Sequence, residues 1–291
     1  MTTLAAPKLS RRIGEGVFLT FCWIATGVAL LALAAIMWSL LRQGIGGFLD
    51  PKSHGLDLNI FTKSTPAPGS TGGLLNAIMG SVMMCVVAMI GSVVVGVLAG
   101  TWVSEYARDS RYGNVVRFLN DVLLSAPSIL VGLFIYEILV APLKGFSGLA
   151  GSVALGLIAA PVITRTTEDV LRLQPTALRE ASVALGAPVW KTIFDVIWKS
   201  ARGGMLTGAL LAFARISGET APLLFTALNN QFLSFNLTKP TANLPVVIFN
   251  YALSAYDDWR RLAWAGALLI AVTVLSVTIV ARILARETAR S

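Results

Sequence analysis

The stretch Arg165–Met205 reads RTTEDVLRLQPTALREASVALGAPVWKTIFDVIWKSARGGM, and apolar runs long enough to cross a bilayer lie on both sides of it. It is the one long, strongly charged segment in the second half of the chain that is not itself a span. Two apolar stripes recur in it with the spacing of a helix face. They are Ala177, Ala181, Ala184 and Leu185 in the first half, and Val189, Ile193, Val196 and Ile197 in the second. The pattern predicts two short amphipathic helices.

A hinge separates the two predicted helices at Gly186-Ala187-Pro188. Glycine can take the left-handed conformation that ends a helix, and proline suits the first turn of the next one. We call residues 177–200 the elbow. On the pattern alone two interpretations stay open, a surface loop lying at the lipid headgroups and a docking surface for a soluble partner.

The composition indicates a membrane protein. Of 291 residues, 55% are apolar and 13% are charged, whereas soluble domains carry about 25% charged residues. Cys22 and Cys85 lie in apolar runs, and His54 stands alone in a polar loop, which argues against a metal site or a histidine-dependent hydrolase. Because no glycine-lysine pair occurs, the chain has no P-loop and is not itself a P-loop ATPase.

The apolar runs predict an all-α integral membrane protein with six spans in one transmembrane domain, residues 17–291, after an N-terminal segment of residues 1–16. The first run is too long for a cleaved signal peptide, so we interpret it as a retained span. The predicted spans are Val17–Leu41, Leu74–Val103, Val122–Ala141, Gly148–Thr164, Leu206–Leu228 and Leu262–Ala281.

Two of these runs carry local signals. Ala126-Pro127-Ser128 interrupts the third span near its start. Gly96 and Gly100 form a GxxxG pattern in the second span, which either lets another helix approach closely or occurs by chance in a glycine-rich run.

The distribution of basic residues predicts the orientation. Six spans put both termini on one side, where 15 lysines and arginines lie, against seven on the other side. The positive-inside rule then places the elbow and both termini in the cytoplasm. The 15 are Lys8, Arg11, Arg12, Arg108, Arg111, Arg117, Arg165, Arg172, Arg179, Lys191, Lys199, Arg202, Arg282, Arg286 and Arg290.

Two charges fall inside the fifth predicted span. Arg215 lies near its middle and Glu219 one turn further out. Charges at that depth cost several kcal/mol unless they face a bundle interior or a water-filled cavity. At this spacing they can pair with each other, but Pro222 clashes with the carbonyl of Gly218 and predicts a kink or an unwound turn beside the pair. Broken helices with charge at mid-membrane are a common way to build a solute site.

A central arginine suits an anionic solute, because a guanidinium supplies both charge and a fork of donors that matches an oxyanion. Phosphate at neutral pH also keeps a proton, which the carboxylate of Glu219 can accept. Arg165, four residues after Pro161 at the inner end of the fourth span, has two interpretations on position alone: a side chain that snorkels to the headgroups, or a residue of the pathway.

The elbow resembles the "EAA" loop of permease subunits of ATP-binding-cassette (ABC) importers, on Glu180-Ala181-Ser182 with Gly186 six residues after the glutamate. In that family the loop's helices sit in a cleft of a separate ATPase. The resemblance therefore implies ATPase coupling through Glu180, Ala181, Ala184, Leu185, Gly186, Ala187 and Pro188, within a loop of residues 165–205. The sequence departs from the family at Ser182, usually alanine, and at Lys199, where the family has a proline that ends the second helix.

Longer strings resemble the PstA-type permease family of bacterial phosphate importers. They are GALLAFARISGETAPLLFTA at residues 208–227, VRFLNDVLLSAPSI at residues 116–129, PVITRTTE at residues 161–168 and ANLP at residues 242–245. The resemblance covers about residues 60–280. It implies a type I ABC importer permease fold in the bacterial inner membrane and a substrate pathway through Arg215, Glu219 and Arg165, with the helix break at Gly218 and Pro222.

The resemblance also implies an assembly. Its members are a second, homologous permease, two cytoplasmic ATPase subunits and an external phosphate-binding protein, with ATP used by the ATPase and no cofactor on this chain. The alternatives that stay open are a permease for sulfate or molybdate and an ion-coupled secondary anion transporter. A membrane enzyme is disfavoured, since the sequence shows no nucleophile–base or metal constellation.

Overall fold

The computed structural model of the chain describes residues 9–49 and 56–290. His54 and residues 1–8 of the predicted N-terminal segment lie outside that part. Apart from an isolated bridge between Leu49 and Leu56, its regular elements are helices. The α-helices are α1 Leu9–Gly47, α2 Asn59–Thr62, α3 Leu75–Thr101, α4 Arg111–Ser125, α5 Ser128–Ile135, α6 Ala141–Leu143, α7 Gly148–Arg172, α8 Thr176–Ala184, α9 Val189–Lys191, α10 Trp198–Ser217, α11 Ala221–Thr226, α12 Leu244–Ala252 and α13 Asp257–Arg290.

Three π-helical segments continue α-helices of the described part without a break. They are Trp102–Tyr106 after α3, Tyr136–Val140 after α5, and Thr192–Ile197 between α9 and α10. Because the last of these runs directly into α10, the second half of the elbow is continuous with the fifth predicted span. The family's proline is absent at Lys199, and the helix continues through this position without a break.

The six predicted spans are not all single long apolar helices in the structure. In the described part, four helices are long and apolar enough to cross a membrane, and a bent pair of helices makes a fifth if it is one span. The four are Gly14–Gly47, Leu75–Tyr106, Gly148–Arg172 and Asp257–Ile283. The predicted span Leu206–Leu228 corresponds to α10 and α11, which are separate helices.

The third predicted span, Val122–Ala141, is divided between the two helices of the bent pair. The chain turns by 103° between Arg111–Ser125 and Ser128–Leu143. Ala126 takes the extended conformation that a following proline favours, so the helix cannot pass through it. The residues from Val122 to Ser125 therefore belong to α4, an amphipathic helix that begins where the Ser110 hydroxyl accepts from the Gly113 amide.

Helices α3 and α7 pack together at the centre of the fold. A stripe of small residues on α3 allows the two helices to approach closely. A Cβ atom on Gly96 would lie 2.8 Å from Ile163, and one on Gly100 would lie 2.6 Å from the Thr164 carbonyl oxygen. One turn earlier, the Ser92 hydroxyl donates to the Gly156 carbonyl at 3.0 Å. The GxxxG pattern is thus a helix-packing face.

We expect Gly100→Ala to destabilise the fold by about 1–3 kcal/mol, because the added methyl group meets backbone that has to move. Gly91→Ala is the matched control on the same helix, since a Cβ there meets nothing within 4 Å. Thermal unfolding of both variants in detergent, followed by size-exclusion chromatography, gives the two unfolding midpoints to be compared. Equal midpoints would show that the two helices do not depend on this close approach.

Candidate functional site

The interruption beside Arg215 lies between α10 and α11. Helix α10 ends at Ser217 and α11 begins at Ala221, with Pro222 in its first turn. Across the gap, the Glu219 amide reaches only to the Ile216 carbonyl, at 3.3 Å. The chain is thus unwound over residues 218–220. Glu219 lies in this unwound turn, and Arg215 lies in the last turn of α10 before it.

Helix α5 packs tightly against the start of α11. A Cβ atom on Gly132 would lie 2.6 Å from the Cα atom of Pro222. This close approach holds α11 in place after the break. The unwound residues are therefore fixed at both ends by packed helices rather than left as a loose loop.

Arg215 and Glu219 do not neutralise each other in this conformation. The Arg215 side chain is exposed and that of Glu219 is half-buried. Within the described part of the chain, neither side chain forms an ion pair or a hydrogen bond. An arginine in a membrane segment needs compensation from water or from a counter-anion. The arrangement leaves its full set of donors available to such an anion.

Arg165 has carboxylate partners that the sequence analysis did not identify. It lies near Asp169 on its own helix, at 3.4 Å, and near Asp121 of α4, at 3.8 Å. Its side chain is 45% exposed. The spacing of four residues between Arg165 and Asp169 was visible in the sequence, but the approach of Asp121 depends on the bend before α5.

The two arginines lie at different depths. On α10, Gly204 contacts Val170 and Gly208 contacts Thr166, so α10 and α7 run antiparallel. Extending that register places Arg215 level with Ala159, about six residues or roughly 9 Å further from the elbow end of the bundle than Arg165. If the elbow faces the cytoplasm, as the basic residues predict, Arg215 is the outer and Arg165 the inner of the two charges.

The elbow has the hinge that its sequence predicts. After α8, the Gly186 amide donates to Val183 at 2.8 Å and the Ala187 amide to Ser182 at 3.2 Å. This pair of bonds is a Schellman motif, and Gly186 takes the left-handed conformation it requires, with φ of 80°. Pro188 then precedes α9.

The first stripe of the elbow is exposed rather than packed on the chain. Ala181 and Ala184 are exposed, as is Glu180, and Leu185 is 88% exposed. Ser182, on the opposite side of α8, is buried, and its hydroxyl lies 2.9 Å from that of Thr192. The serine that replaces the family's alanine thus ties the two halves of the elbow together.

Two buried carboxylates, Glu105 and Glu168, attach the elbow and α4 to the bundle through ion pairs. Arg179 binds Glu105 at 2.8 Å, and Glu168 binds Arg117 at 2.7 Å and Arg172 at 3.0 Å. The hydrogen bond to Glu105, together with its negative charge, raises the pKa of Arg179, against an opposing effect of burial. Sequence reasoning missed the Glu105–Arg179 and Glu168–Arg117 pairs, since the partners lie 74 and 51 residues apart along the chain.

Comparison with known proteins places these features in one family. The model of binding-protein-dependent transport system inner membrane components matches residues 92–290, which include the elbow and both arginines. The chain belongs to this family. Such inner membrane components are transmembrane subunits, and the long apolar helices described above agree with that placement.

Several relatives in the family are similar along nearly their whole length. The chain is 50% identical to the phosphate transport system permease protein PstA of Pasteurella multocida over 273 residues, which is 94% of this chain and 95% of that one. It is 48% identical to the PstA protein of Haemophilus influenzae, over 94% of both chains. A probable phosphate transport system permease protein PstA of Methanocaldococcus jannaschii is 33% identical, over 93% of both. The resemblance to PstA-type permeases is confirmed.

A chain of a solved ABC transporter shares the fold. A chain of the inward-facing MetNI methionine ABC transporter superposes with a TM-score of 0.62 at 19% identity, covering 74% of this chain and 95% of that one. The predicted all-α fold of an ABC importer permease is thereby confirmed.

Proposed function

We propose that the chain is the membrane permease subunit of an ATP-driven importer that moves inorganic phosphate into the cytoplasm. The observation that carries the proposal is Arg215, an arginine without a partner in the described chain, beside a helix break. Relatives named as phosphate transport system permeases, at 48–50% identity, support phosphate as the anion.

The chemistry of the break suits a protonated oxyanion. The guanidinium of Arg215 offers forked N–H donors and a positive charge to two oxygens of phosphate. Glu219, in the unwound turn, is the one acidic residue within four positions of it, and its carboxylate can accept a hydrogen bond from the O–H that phosphate keeps at neutral pH. Sulfate has no such proton, and the unpaired carboxylate would repel it.

The inner arginine provides an exit. Arg165 is already partly neutralised by Asp121 and Asp169, whereas Arg215 is not. An anion is therefore held less tightly at Arg165 than at Arg215. Phosphate moving inward passes from a stronger to a weaker site and is released toward the cytoplasm.

The energy comes from another subunit. The exposed face of the elbow, with Leu185 at its end, offers apolar and polar contacts to a cytoplasmic ATPase that binds and hydrolyses ATP. A second, homologous permease completes the pathway, two ATPase copies serve the two elbows, and an external phosphate-binding protein delivers the anion. In this assembly the chain holds no cofactor and catalyses no reaction.

Uptake of radiolabelled phosphate into proteoliposomes tests the proposal. We expect uptake only when both permeases, the ATPase and the binding protein are present with ATP, and we expect excess unlabelled phosphate to compete where sulfate and molybdate do not. Uptake by this chain alone under an ion gradient would make it a secondary transporter. Preferred competition by sulfate or molybdate would assign it another oxyanion.

A further inference from the structure

The inner end of α3 and the elbow meet at a bidentate ion pair. Arg179 donates from Nε to Oε2 of Glu105 at 2.9 Å and from Nη2 to Oε1 at 2.8 Å. The side chain of Glu105 is 8% exposed and that of Arg179 is 20% exposed. Two parallel hydrogen bonds fix the relative orientation of the groups as well as their distance.

The same guanidinium also holds the end of α7. Its Nη1 donates to the Gln174 carbonyl and its Nη2 to the Leu171 carbonyl, both at 2.9 Å. Arg179 thus uses four of its five N–H groups on two other elements, the end of α3 and the end of α7. A lysine has no planar fork and cannot reproduce this set.

A second connection joins α3 to the other half of the elbow. The indole Nε1 of Trp198 donates to the hydroxyl of Thr101 at 3.1 Å, one turn before Glu105. Phe194 packs on the Trp198 ring at 4.4 Å between ring centroids. Since the Ser182 and Thr192 hydroxyls tie the two halves to each other, both halves of the elbow hold the last turns of α3.

The segment that they hold is the π-helical turn Trp102–Tyr106. π-Helical turns occur frequently at functional sites, and this one directly continues the helix whose small residues pack along α7. A displacement of the elbow therefore reaches α3 and α7, the second of which carries Arg165. By contrast, Glu180 is exposed and has no partner in the part of the chain that the structure describes.

We propose that the Glu105–Arg179 pair is the joint through which movement of the elbow is passed to the transmembrane helices. Both are positioning residues for transport and contact neither phosphate nor ATP. Adjacent residues of the elbow then have different roles: Glu180 faces the ATPase, and Arg179 binds the membrane domain. This inference rests on the proposed function, because it presupposes an ATPase that moves the elbow.

The test compares phosphate transported with ATP hydrolysed in the complete reconstituted complex. We expect Glu105→Gln and Arg179→Lys complexes to assemble and hydrolyse ATP, while phosphate moved per ATP falls at least about fivefold. The charge-reversed double variant Glu105→Arg/Arg179→Glu should recover part of that loss. Asp195→Asn is the matched control, since it removes an exposed ion pair with Lys199 on the same elbow and should leave the ratio unchanged.

Two outcomes overturn the inference. One is a wild-type ratio in both single variants. The other is failure of the single variants to assemble with the ATPase, which would make the pair a structural support only. The wild-type complex is measured first, so that an absence of ATP-driven phosphate uptake in it counts against the proposed function and not against the joint.

Discussion

Arg215→Gln is expected to lower phosphate uptake at least about a hundredfold in the complete importer, while the subunits still assemble. The neutral amide loses the charge and the two charge-assisted hydrogen bonds to phosphate, each worth about 1.5–3 kcal/mol. Arg215→Lys keeps the charge without the fork and should retain an intermediate rate. Radiolabelled uptake, normalised to assembled complex, measures both.

Arg202→Gln is the matched control for that experiment. Arg202 lies on the same helix, is exposed, and forms no ion pair within the described residues. We expect the control to transport at close to the wild-type rate. If Arg215→Gln transported phosphate as fast as Arg202→Gln, the outer arginine would have no part in the pathway.

Leu185→Asp is expected to weaken binding of the ATPase at least about tenfold. Leu185 is the most exposed large apolar side chain of the elbow and stands at the end of its outward stripe, so we expect it to anchor the elbow in a cleft of the ATPase. An aspartate there would be buried without a partner on docking. Co-purification and titration of the ATPase onto the detergent-solubilised permease pair measure the change.

Leu173→Asp supplies the control for the elbow. Leu173 is 80% exposed and lies at the end of α7 next to the elbow, but it precedes α8 and is not on the elbow's stripe. It should leave ATPase binding unchanged. Equal weakening by the two variants would mean that general loss of apolar surface, and not docking at the elbow, is responsible.

The elbow shows what local pattern can predict. The hinge glycine, the proline after it and the two stripes all follow from helix spacing and capping chemistry, and Gly186 has the positive φ that the hinge demands. The pattern did not separate Arg179 from Glu180, both of which it places off the stripe. Arg179 turns toward the bundle because it binds Glu105. That partner lies 74 residues away in the sequence, so a local pattern cannot reveal it.

The third and fifth predicted spans show the limits of the pattern. The break at Ala126-Pro127-Ser128 is confirmed, but an apolar run beginning at Val122 does not reveal that the residues before the break belong to a helix at 103° to the rest. Near Arg215 the sequence predicted a kink or an unwound turn. It did not decide whether Arg215 and Glu219 form an ion pair. Because the helix ends at Ser217, Glu219 is no longer on the same helix, and the four-residue spacing does not bring the two charges together.

The most direct measurement is charge rescue at position 215. Replacing Cys22 and Cys85, the two cysteines of the chain, gives a background in which Arg215→Cys can be modified from the aqueous phase. We predict that a positively charged aminoethyl methanethiosulfonate restores part of the lost phosphate uptake and that a negatively charged sulfonatoethyl reagent does not, with excess phosphate slowing both modifications. Failure of both water-soluble reagents to modify the cysteine, or equal uptake with either charge, would contradict the assignment of Arg215 to the anion pathway.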